Sequence, residues 1–185
     1  QVDKRPIEIT ANSNEWMYDG ESHSDSGYII TDGELADGET IDTVVVTGSI
    51  TYPGDSANVA GGAVITDGSG NNVTDNYDIT YVPGTLTVTK DTTALTITSG
   101  DCATTYDAQD HTCEEYVVTY GDSTITECTA CAHDTLTHIY VIPTGDTVTI
   151  KEPEVLHDVD TVPNTFEYTI TNDTNYPNVD TTIGT

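Results

Sequence analysis

Short runs of alternating apolar and polar residues recur along the chain and predict β-strands. In the first run Ile7 and Ile9 fall on one face, and in a later run Leu86 and Val88 do the same, as the two-residue period of a strand requires. Stretches rich in Gly, Pro, Asp and Asn separate these runs and predict turns. No window of a dozen residues carries apolar residues at the spacing of a helix. We therefore expect an all-β protein.

The chain contains an internal repeat. Residues 6–33 align with residues 94–121 over 28 positions at a constant offset of 88 and without a gap. A repeat of this kind predicts two homologous domains, which we place at residues 5–91 and 92–185 with their junction near residues 90–93. The second copy carries about eleven extra residues, most plausibly within 122–138. The identical pairs are Ile9/Ile97, Tyr18/Tyr106, Asp19/Asp107, His23/His111, Tyr28/Tyr116 and Gly33/Gly121.

The number and spacing of the predicted strands favour a sandwich fold. About seven short strands in some 85 residues is the pattern of a small immunoglobulin-like β-sandwich. We therefore predict two tandem sandwiches. A β-grasp-like sheet with one short helix in each domain is the alternative, and in the first domain that helix would lie near residues 34–39.

The first copy resembles a known family of surface repeats. It contains Tyr18-Asp19-Gly20, then Val-Thr-Gly-Ser at 46–49, then Asn-Tyr-Asp-Ile-Thr-Tyr at 76–81 and Gly-Thr-Leu-Thr-Val at 84–88. In these motifs it resembles the tandem MBG-type (Tyr-Asp-Gly) repeats of bacterial cell-surface and adhesin proteins. The second copy has Tyr106-Asp107-Ala108 instead, and its membership depends on the internal alignment. The resemblance implies extracellular, non-enzymatic modules strung in series, and it transfers no catalytic or ligand-binding residue.

The charge of the chain argues against several classes of partner. There are 32 acidic residues against four basic ones, a net charge of −28, and such a surface repels nucleic acid and anionic lipid. No apolar run approaches the roughly 18 residues of a membrane span. The scattered acids predict a solvated acidic coat. We expect no cofactor, although weak binding of divalent cations is compatible with this coat.

All four cysteines lie in the second copy. For an extracellular domain their even number predicts two disulfides, which we assign as Cys102–Cys113 and Cys128–Cys131. Cys102 and Cys113 align with Asn14 and Asp25 on either side of the Tyr-Asp-Gly segment. The alternative is a zinc site formed by Cys-Thr-Ala-Cys-Ala-His at 128–133 with His138, but this segment offers a single C-x-x-C pair. We therefore predict no metal site.

Other motifs carry little chemistry. No phosphate loop, metalloprotease motif or nucleophile elbow occurs, so we predict that the protein is not an enzyme. The stretch 67–78 loosely resembles a calcium loop, but a hairpin turn is favoured because the spaced acids of an EF-hand are missing. Asn72 and Asn172 begin N-glycosylation sequons.

The two copies differ at their last strand. In the first copy residues 84–90, Gly-Thr-Leu-Thr-Val-Thr-Lys, predict a final strand, which we expect to pair beside the first strand. The second copy reaches Gly184-Thr185 without this sequence, whereas Gln1–Lys4 resembles its end, with Val2 in the role of Val88. Bare backbone groups at a sheet edge favour addition of a strand. We therefore predict that the donor strand Gln1, Val2, Asp3 and Lys4 of one molecule docks at the acceptor region Tyr176, Val179, Ile183, Gly184 and Thr185 of the next.

These expectations define the function to be tested. We predict a non-enzymatic structural subunit of an extracellular filament or surface stalk, whose partners are copies of itself joined head to tail. Two alternatives remain open. One is a ligand-binding adhesin module with an acidic, Tyr-rich surface, and the other is a fragment of a giant tandem-repeat surface protein.

Overall fold

The computed structural model describes residues 2–129, 137–151, 155 and 157–184. The chain divides into two compact units, Gln1–Thr89 and Lys90–Thr185. Both units consist of strands, and the helical elements of the described residues are the 3-10 turns Thr74–Asn76 and Asp173–Asn175. The predicted all-β sandwich class is therefore confirmed.

The first unit is built from two sheets. The first sheet has the order β3-β1-β6 and the second sheet has the order β2-β7-β5-β4. β1 pairs antiparallel with β3 and parallel with β6. The strands are β1 (Arg5–Ala11), β2 (Asn14–Met17), β3 (Tyr28–Gly33), β4 (Thr40–Thr47), β5 (Gly54–Thr66), β6 (Tyr77–Val82) and β7 (Gly84–Thr89).

Apolar side chains from the two sheets form the core of the first unit. Ile9 from the first sheet and Ile65 from the second are both 0% exposed, because alternate residues of each strand point to the same side. The hydroxyl of Tyr77 accepts a hydrogen bond from the backbone N–H of Ala36 at 2.8 Å and donates one to Glu39 at 2.5 Å. These bonds satisfy the polar end of an otherwise buried ring. The buried members of the core are Ile7, Ile9, Ala11, Ala60, Ala63, Ile65 and Tyr77.

The position of β7 differs from the expectation. The strand that pairs beside β1 is β6, whereas β7 lies in the second sheet between β2 and β5. The prediction that the final strand pairs beside the first is therefore wrong. Alternation predicted the buried face of β7, since Leu86 and Val88 are both buried, but alternation does not specify which strands lie on either side.

The chain crosses from the first sheet to the second at Gly84. A Cβ atom at this position would lie 2.2 Å from the carbonyl oxygen of Asn12 and 2.5 Å from that of Ala11. Such contacts are shorter than real Cβ atoms make, so only glycine lets the backbone pass this close. The crossing allows two consecutive segments, β6 and β7, to belong to different sheets.

The helix of the β-grasp alternative is absent from the first unit, all of which is described from residue 2 onward. Residues 34–39 form a turn in which the N–H of Glu39 donates to the carbonyl oxygen of Ala36 at 3.0 Å. Gly38 has a φ of 79° there, which ends any helical continuation because it is a left-handed conformation.

The second unit repeats much of this arrangement. Its described residues form one sheet of order β10-β9-β8-β14 and another of order β11-β12-β13. β8 pairs antiparallel with β9 and parallel with β14, as β1 does with β3 and β6. The strands are β8 (Leu95–Ser99), β9 (Tyr116–Tyr120), β10 (Ser123–Ile125), β11 (Thr137–Val141), β12 (Thr147–Lys151), β13 (Glu167–Ile170) and β14 (Val179–Thr182).

The described core of the second unit is also aliphatic. Ile97, Val118 and Val148 are 0% exposed, and Ile97 occupies the position of Ile9 in the repeat. β10 and β11 lie at the two ends of the region where we placed the extra residues. β11 covers the edge of β12 that β13 leaves open. β11 is thus an additional outer strand of this sheet.

The crossing at Gly84 can be tested by substitution. Gly84→Ala should lower the free energy of unfolding of the first unit by about 1–3 kcal/mol, because the added methyl group forces the backbone apart. Gly61→Ala, in β5, is the matched control. No atom lies within 4 Å of its added Cβ, so its effect should stay within about 1 kcal/mol. Urea unfolding followed by the fluorescence of Trp16, the only tryptophan, reports on this unit. Equal urea midpoints for the two variants would contradict this account.

Candidate functional site

The second unit reproduces the sheet crossing of the first. A Cβ atom at Gly184 would lie 2.4 Å from the carbonyl oxygen of Gly100, just as one at Gly84 would meet the carbonyl of Asn12. Gly100 and Asn12 are equivalent in the repeat. Gly184 therefore makes the same kind of close backbone approach as Gly84.

An asparagine donates hydrogen bonds beside each of these two glycines. Asn58 is 0% exposed, and its Nδ2 donates to the carbonyl oxygens of Asn12 at 2.9 Å and Asp25 at 3.0 Å. Asn58 also pairs with Gly84 in the β5–β7 ladder. The same asparagine therefore bridges three segments of the first unit.

The second unit uses Asn164 in the same way. Its Nδ2 donates to the carbonyl oxygen of Gly100 at 3.0 Å, and its N–H donates to the carbonyl oxygen of Gly184 at 2.7 Å. Ser99 adds a second link, because its hydroxyl donates to the Asn164 carbonyl at 2.7 Å and accepts from the Gly184 N–H at 3.0 Å. The Asn164–Gly184 bridge thus corresponds to the Asn58–Gly84 pair, the first pair that β7 makes.

In the first unit β7 lies between β2 and β5, and its inward-facing residues are buried. Leu86 is 0% exposed and Val88 is 2% exposed. At its far end the carbonyl oxygen of Thr89 accepts a hydrogen bond from the N–H of Tyr18 at 2.9 Å. Tyr18, the tyrosine of the Tyr-Asp-Gly motif, is 3% exposed and stacks on Tyr52 with ring centroids 6.1 Å apart. The motif tyrosine therefore closes over the end of β7.

The corresponding region of the second unit is open. Tyr106, the counterpart of Tyr18, is 56% exposed, and Val159 is 85% exposed. Among the described residues, none forms a ladder with 102–106, the counterpart of β2, or with 160–163, the counterpart of residues 54–57 in the first half of β5. In the described part of the second unit, Gly184 thus makes the pair that corresponds to the first pair of β7. The two segments that would flank the rest of such a strand are open.

One side of this open region is fixed by a disulfide. Cys102 and Cys113 are bonded, with Cα atoms 5.6 Å apart, as predicted. In the first unit the equivalent residues Asn14 and Asp25 are joined by a long side-chain hydrogen bond of 3.4 Å. A covalent link therefore replaces a weak polar one where the strand pairing is missing.

The structure describes one cysteine of the second predicted disulfide. Cys128 is disulfide-bonded, but its predicted partner Cys131 lies outside the described residues. His138, the extra ligand of the zinc alternative, is 5% exposed and packs against the ring of Tyr116, with centroids 5.0 Å apart. In the described part of the chain no group of three or more His, Cys, Asp or Glu side chains is arranged to hold a metal ion.

The predicted donor residues lie before β1 and outside any strand. Val2 is 98% exposed, and Gln1 lies outside the described residues. Asp3 and Lys4, together with Val2, line a cleft of about 610 Å³ whose other side includes Glu39 and Tyr77. Residues 2–4 are therefore accessible to another molecule.

The predicted acceptor residues lie in different environments. The buried hydroxyl of Tyr176 donates to Asp146 at 2.5 Å, and Val179 pairs with Leu95 at the start of β14. Ile183 is 52% exposed, Gly184 forms the crossing, and Thr185 lies outside the described residues. Of the described members, Gly184 is the one that belongs to the open region.

Sequence reasoning missed the segments 102–106 and 160–164. The alignment of Tyr106 with Tyr18 could have located the segment 102–106. However, the position of Tyr18 at the end of the last strand is visible only from the ladder of β7 in the first unit. The counterpart of the first half of β5 has no alternating pattern that would have identified it.

The two sequons differ in their surroundings. Asn172 has a left-handed backbone and its Nδ2 donates to Asp146 at 2.8 Å, so a glycan there would remove a hydrogen bond to a buried carboxylate. Asn72 is exposed, and its Oδ1 accepts from the N–H of Thr74 at 2.9 Å. Asn72 is the more accessible of the two acceptor sites.

The stretch compared with a calcium loop contains a tight turn at 67–71. The carboxylate of Asp67 accepts hydrogen bonds from the N–H groups of Ser69 and Asn71 and from the Asn71 side chain. These hydrogen bonds lower the pKa of Asp67, and the bond from the Asn71 side chain is the largest cause. The Asp67 oxygens are thus used within the turn itself, as the hairpin interpretation predicts.

The Tyr-Asp-Gly segment and its counterpart Tyr106-Asp107-Ala108 each carry an aspartate–histidine pair. His23 Nε2 lies 2.9 Å from Asp19 and stacks on Trp16, with ring centroids 4.8 Å apart. In the second unit His111 Nε2 lies 2.8 Å from Asp107. The hydrogen bond from His111 is the main cause that lowers the pKa of Asp107. The pair fixes the loop that follows β2 in the first unit and its counterpart in the second.

The comparisons with known proteins gave no match. No family model, no curated protein and no solved structure is significantly similar to this chain. The resemblance to MBG-type repeats therefore stays a prediction. In the described residues no helix is long and apolar enough to cross a membrane.

The aspartate–histidine pair predicts a dependence on pH. Because the fold lowers the pKa of Asp107 below its ordinary value of 3.8, the pair stabilises the second unit above that value and its contribution is lost as the pH falls through the lowered pKa. An NMR titration of the Asp107 carboxyl carbon should show the low midpoint, and His111→Phe should raise it. The control His157→Phe removes a ring that contacts Asp110 instead and should leave Asp107 unchanged. An ordinary midpoint in the unmodified chain would refute the assignment.

Proposed function

We propose that this chain is a non-enzymatic structural subunit of an extracellular filament or surface stalk, assembled head to tail by strand donation. The segment Gln1–Lys4 of one molecule supplies part of the last strand of the second unit of its neighbour. The observation that carries the proposal is the contrast between Tyr18, which is buried over β7, and its exposed counterpart Tyr106.

The chemistry of the donor segment supports this assignment. Val2 is an apolar side chain almost fully exposed to solvent, whereas the equivalent Val88 is buried. Lys4 is one of the four basic residues of the chain. Asp101, Asp158 and Asp160 lie in or beside the open region of the second unit. Opposite charges on the donor segment and in the acceptor region favour head-to-tail encounter over other arrangements.

The symmetry of such a contact favours a linear product. The donor surface lies on the first unit and the acceptor surface on the second, so the contact is heterologous and leaves one free surface at each end of every dimer. Heterologous contacts propagate into filaments unless the rotation closes a ring. Backbone hydrogen bonds of an added strand supply the affinity, as in other complexes formed by β-augmentation.

The cysteines support the proposed extracellular location. The Cys102–Cys113 disulfide is compatible with an oxidising compartment, where structural disulfides persist. The strongly acidic surface keeps such a fibre soluble and disfavours non-specific contact with nucleic acid and anionic membranes.

Deleting Gln1–Lys4 tests the proposal. The full chain should form linear polymers visible by electron microscopy, and the deleted chain should remain monomeric in sedimentation velocity with unchanged Trp16 fluorescence, because residues 2–4 precede β1. Val45→Asp, which places a charge at another exposed valine, is the control and should polymerise normally.

A denaturing gel of the assembled material separates the alternatives. Non-covalent strand donation gives a band at the mass of a single subunit, whereas one giant tandem-repeat chain gives a very large species. Polymers that persist after the deletion would show that Gln1–Lys4 is not the donor.

A further inference from the structure

We infer that the acceptor surface of the second unit consists of the segments 102–106 and 160–164, and that it accepts an extended strand in one register. The incoming strand runs parallel to the first segment and antiparallel to the second. This inference rests on the premise of the proposed function that the second unit receives a strand, but it does not depend on which segment donates it.

The register follows from the first unit. There β7 pairs antiparallel with β5 so that Asn58 lies opposite Gly84, Ser56 opposite Leu86 and Gly54 opposite Val88. The Asn164–Gly184 bridge reproduces the first of these pairs in the second unit. Continuing the ladder places Val162 opposite the residue that takes the role of Leu86, and Asp160 opposite the one that takes the role of Val88.

The other side of the acceptor follows from β2. In the first unit Asn14 lies opposite Leu86 and Trp16 opposite Val88, in parallel pairing. The repeat offset of 88 turns these positions into Cys102 and Thr104. The disulfide from Cys102 to Cys113 thus restrains the segment 102–106, with which the incoming strand pairs. This restraint lowers the entropy cost of ordering that segment on binding.

These two ladders define the chemistry of the incoming strand. It carries apolar side chains two residues apart, because both must point into the sandwich as Leu86 and Val88 do. A backbone carbonyl follows at the place of Thr89, where it accepts the N–H of Tyr106 as Thr89 accepts that of Tyr18. A basic residue next in sequence suits the acidic surroundings of Asp101, Asp158 and Asp160. Residues 86–90, Leu-Thr-Val-Thr-Lys, meet all of these requirements, whereas Gln1–Lys4 meets the later ones, with Val2 in the role of Val88 and Lys4 in that of Lys90.

Tyr106 reports whether the acceptor is filled. Its counterpart Tyr18 is 3% exposed with β7 in place, whereas Tyr106 is 56% exposed. A strand in the stated register should bury Tyr106. Tyr52, at 59% exposed, lies in the first unit and provides an exposed reference.

The experiment supplies the strand within the chain. The sequence Leu-Thr-Val-Thr-Lys is appended after Thr185, so that Gly184 is followed by the same residues that follow Gly84. Tyrosines are then modified chemically and quantified by peptide mass spectrometry. Modification of Tyr106 should fall to the level of Tyr18 while that of Tyr52 stays the same. The matched control carries the same extension with aspartate in place of its leucine and valine, and its Tyr106 should remain reactive.

Two substitutions in the extended chain test the register. Val162→Asp puts a carboxylate on the inward face opposite the appended leucine and should restore the reactivity of Tyr106. Thr161→Asp makes the same charge change one residue away, on the outward face, and should leave Tyr106 protected. Circular dichroism shows whether each variant keeps its strand content. Loss of protection in both variants, or in neither, would overturn the register.

The outcomes separate this inference from the proposed function. If the extension protects Tyr106 and also stops polymerisation, both are supported. If it protects Tyr106 while polymers still form, the acceptor is correct and donation by Gln1–Lys4 is not. A Tyr106 that stays as reactive in the extended chain as in the aspartate control would overturn the acceptor surface itself.

Discussion

The close passage of the backbone at Gly84, and again at Gly184, is the constraint on which both units depend. At Gly84 the chain leaves one sheet and enters the other past the carbonyls of Ala11 and Asn12, where a side chain has no room, and at Gly184 it passes equally close to the carbonyl of Gly100. Asn58, which is buried, and Asn164, which is half-buried, donate hydrogen bonds to the carbonyls around these glycines. Through these bonds each asparagine holds its glycine in one geometry. In the first unit that geometry places the following strand, β7, between β2 and β5.

The two units have the same crossing but different surroundings. In the first unit β7 fills the place to which Gly84 directs it, and the motif tyrosine Tyr18 closes over its end. In the second unit the described chain carries a disulfide where the first has a weak side-chain hydrogen bond, and extra strands β10 and β11 at other edges. The strands β10 and β11 lie away from the place that β7 occupies in the first unit. The open region beside Tyr106 is left uncovered. We interpret the opening as the feature that makes the subunit a component of a larger assembly.

The sequence predicted strand faces well and strand neighbours poorly. The buried faces of β1 and β7 follow from alternation at Ile7 and Ile9 and at Leu86 and Val88, because a strand has a period of two. The same alternation says nothing about partners, which is why β7 was placed beside β1 and why the acceptor was sought at residues 176–185. The helix of the β-grasp alternative does not form near residues 34–39, because a left-handed Gly38 makes a turn there. The disulfide at Cys102–Cys113 was predictable because the repeat aligns both cysteines with residues flanking one loop.

Backbone hydrogen exchange tests the central claim, strand insertion into the second unit, most directly. A ladder on both sides of an incoming strand protects the N–H groups that it pairs, whereas a side-by-side contact of folded surfaces does not. Exchange should be compared between separated and assembled chains at residues 102–106 and 160–163. The account predicts that both segments become protected together on assembly, while exposed turns such as 67–71 are unchanged. Unchanged exchange in both segments, in material that is shown to be assembled, would contradict it.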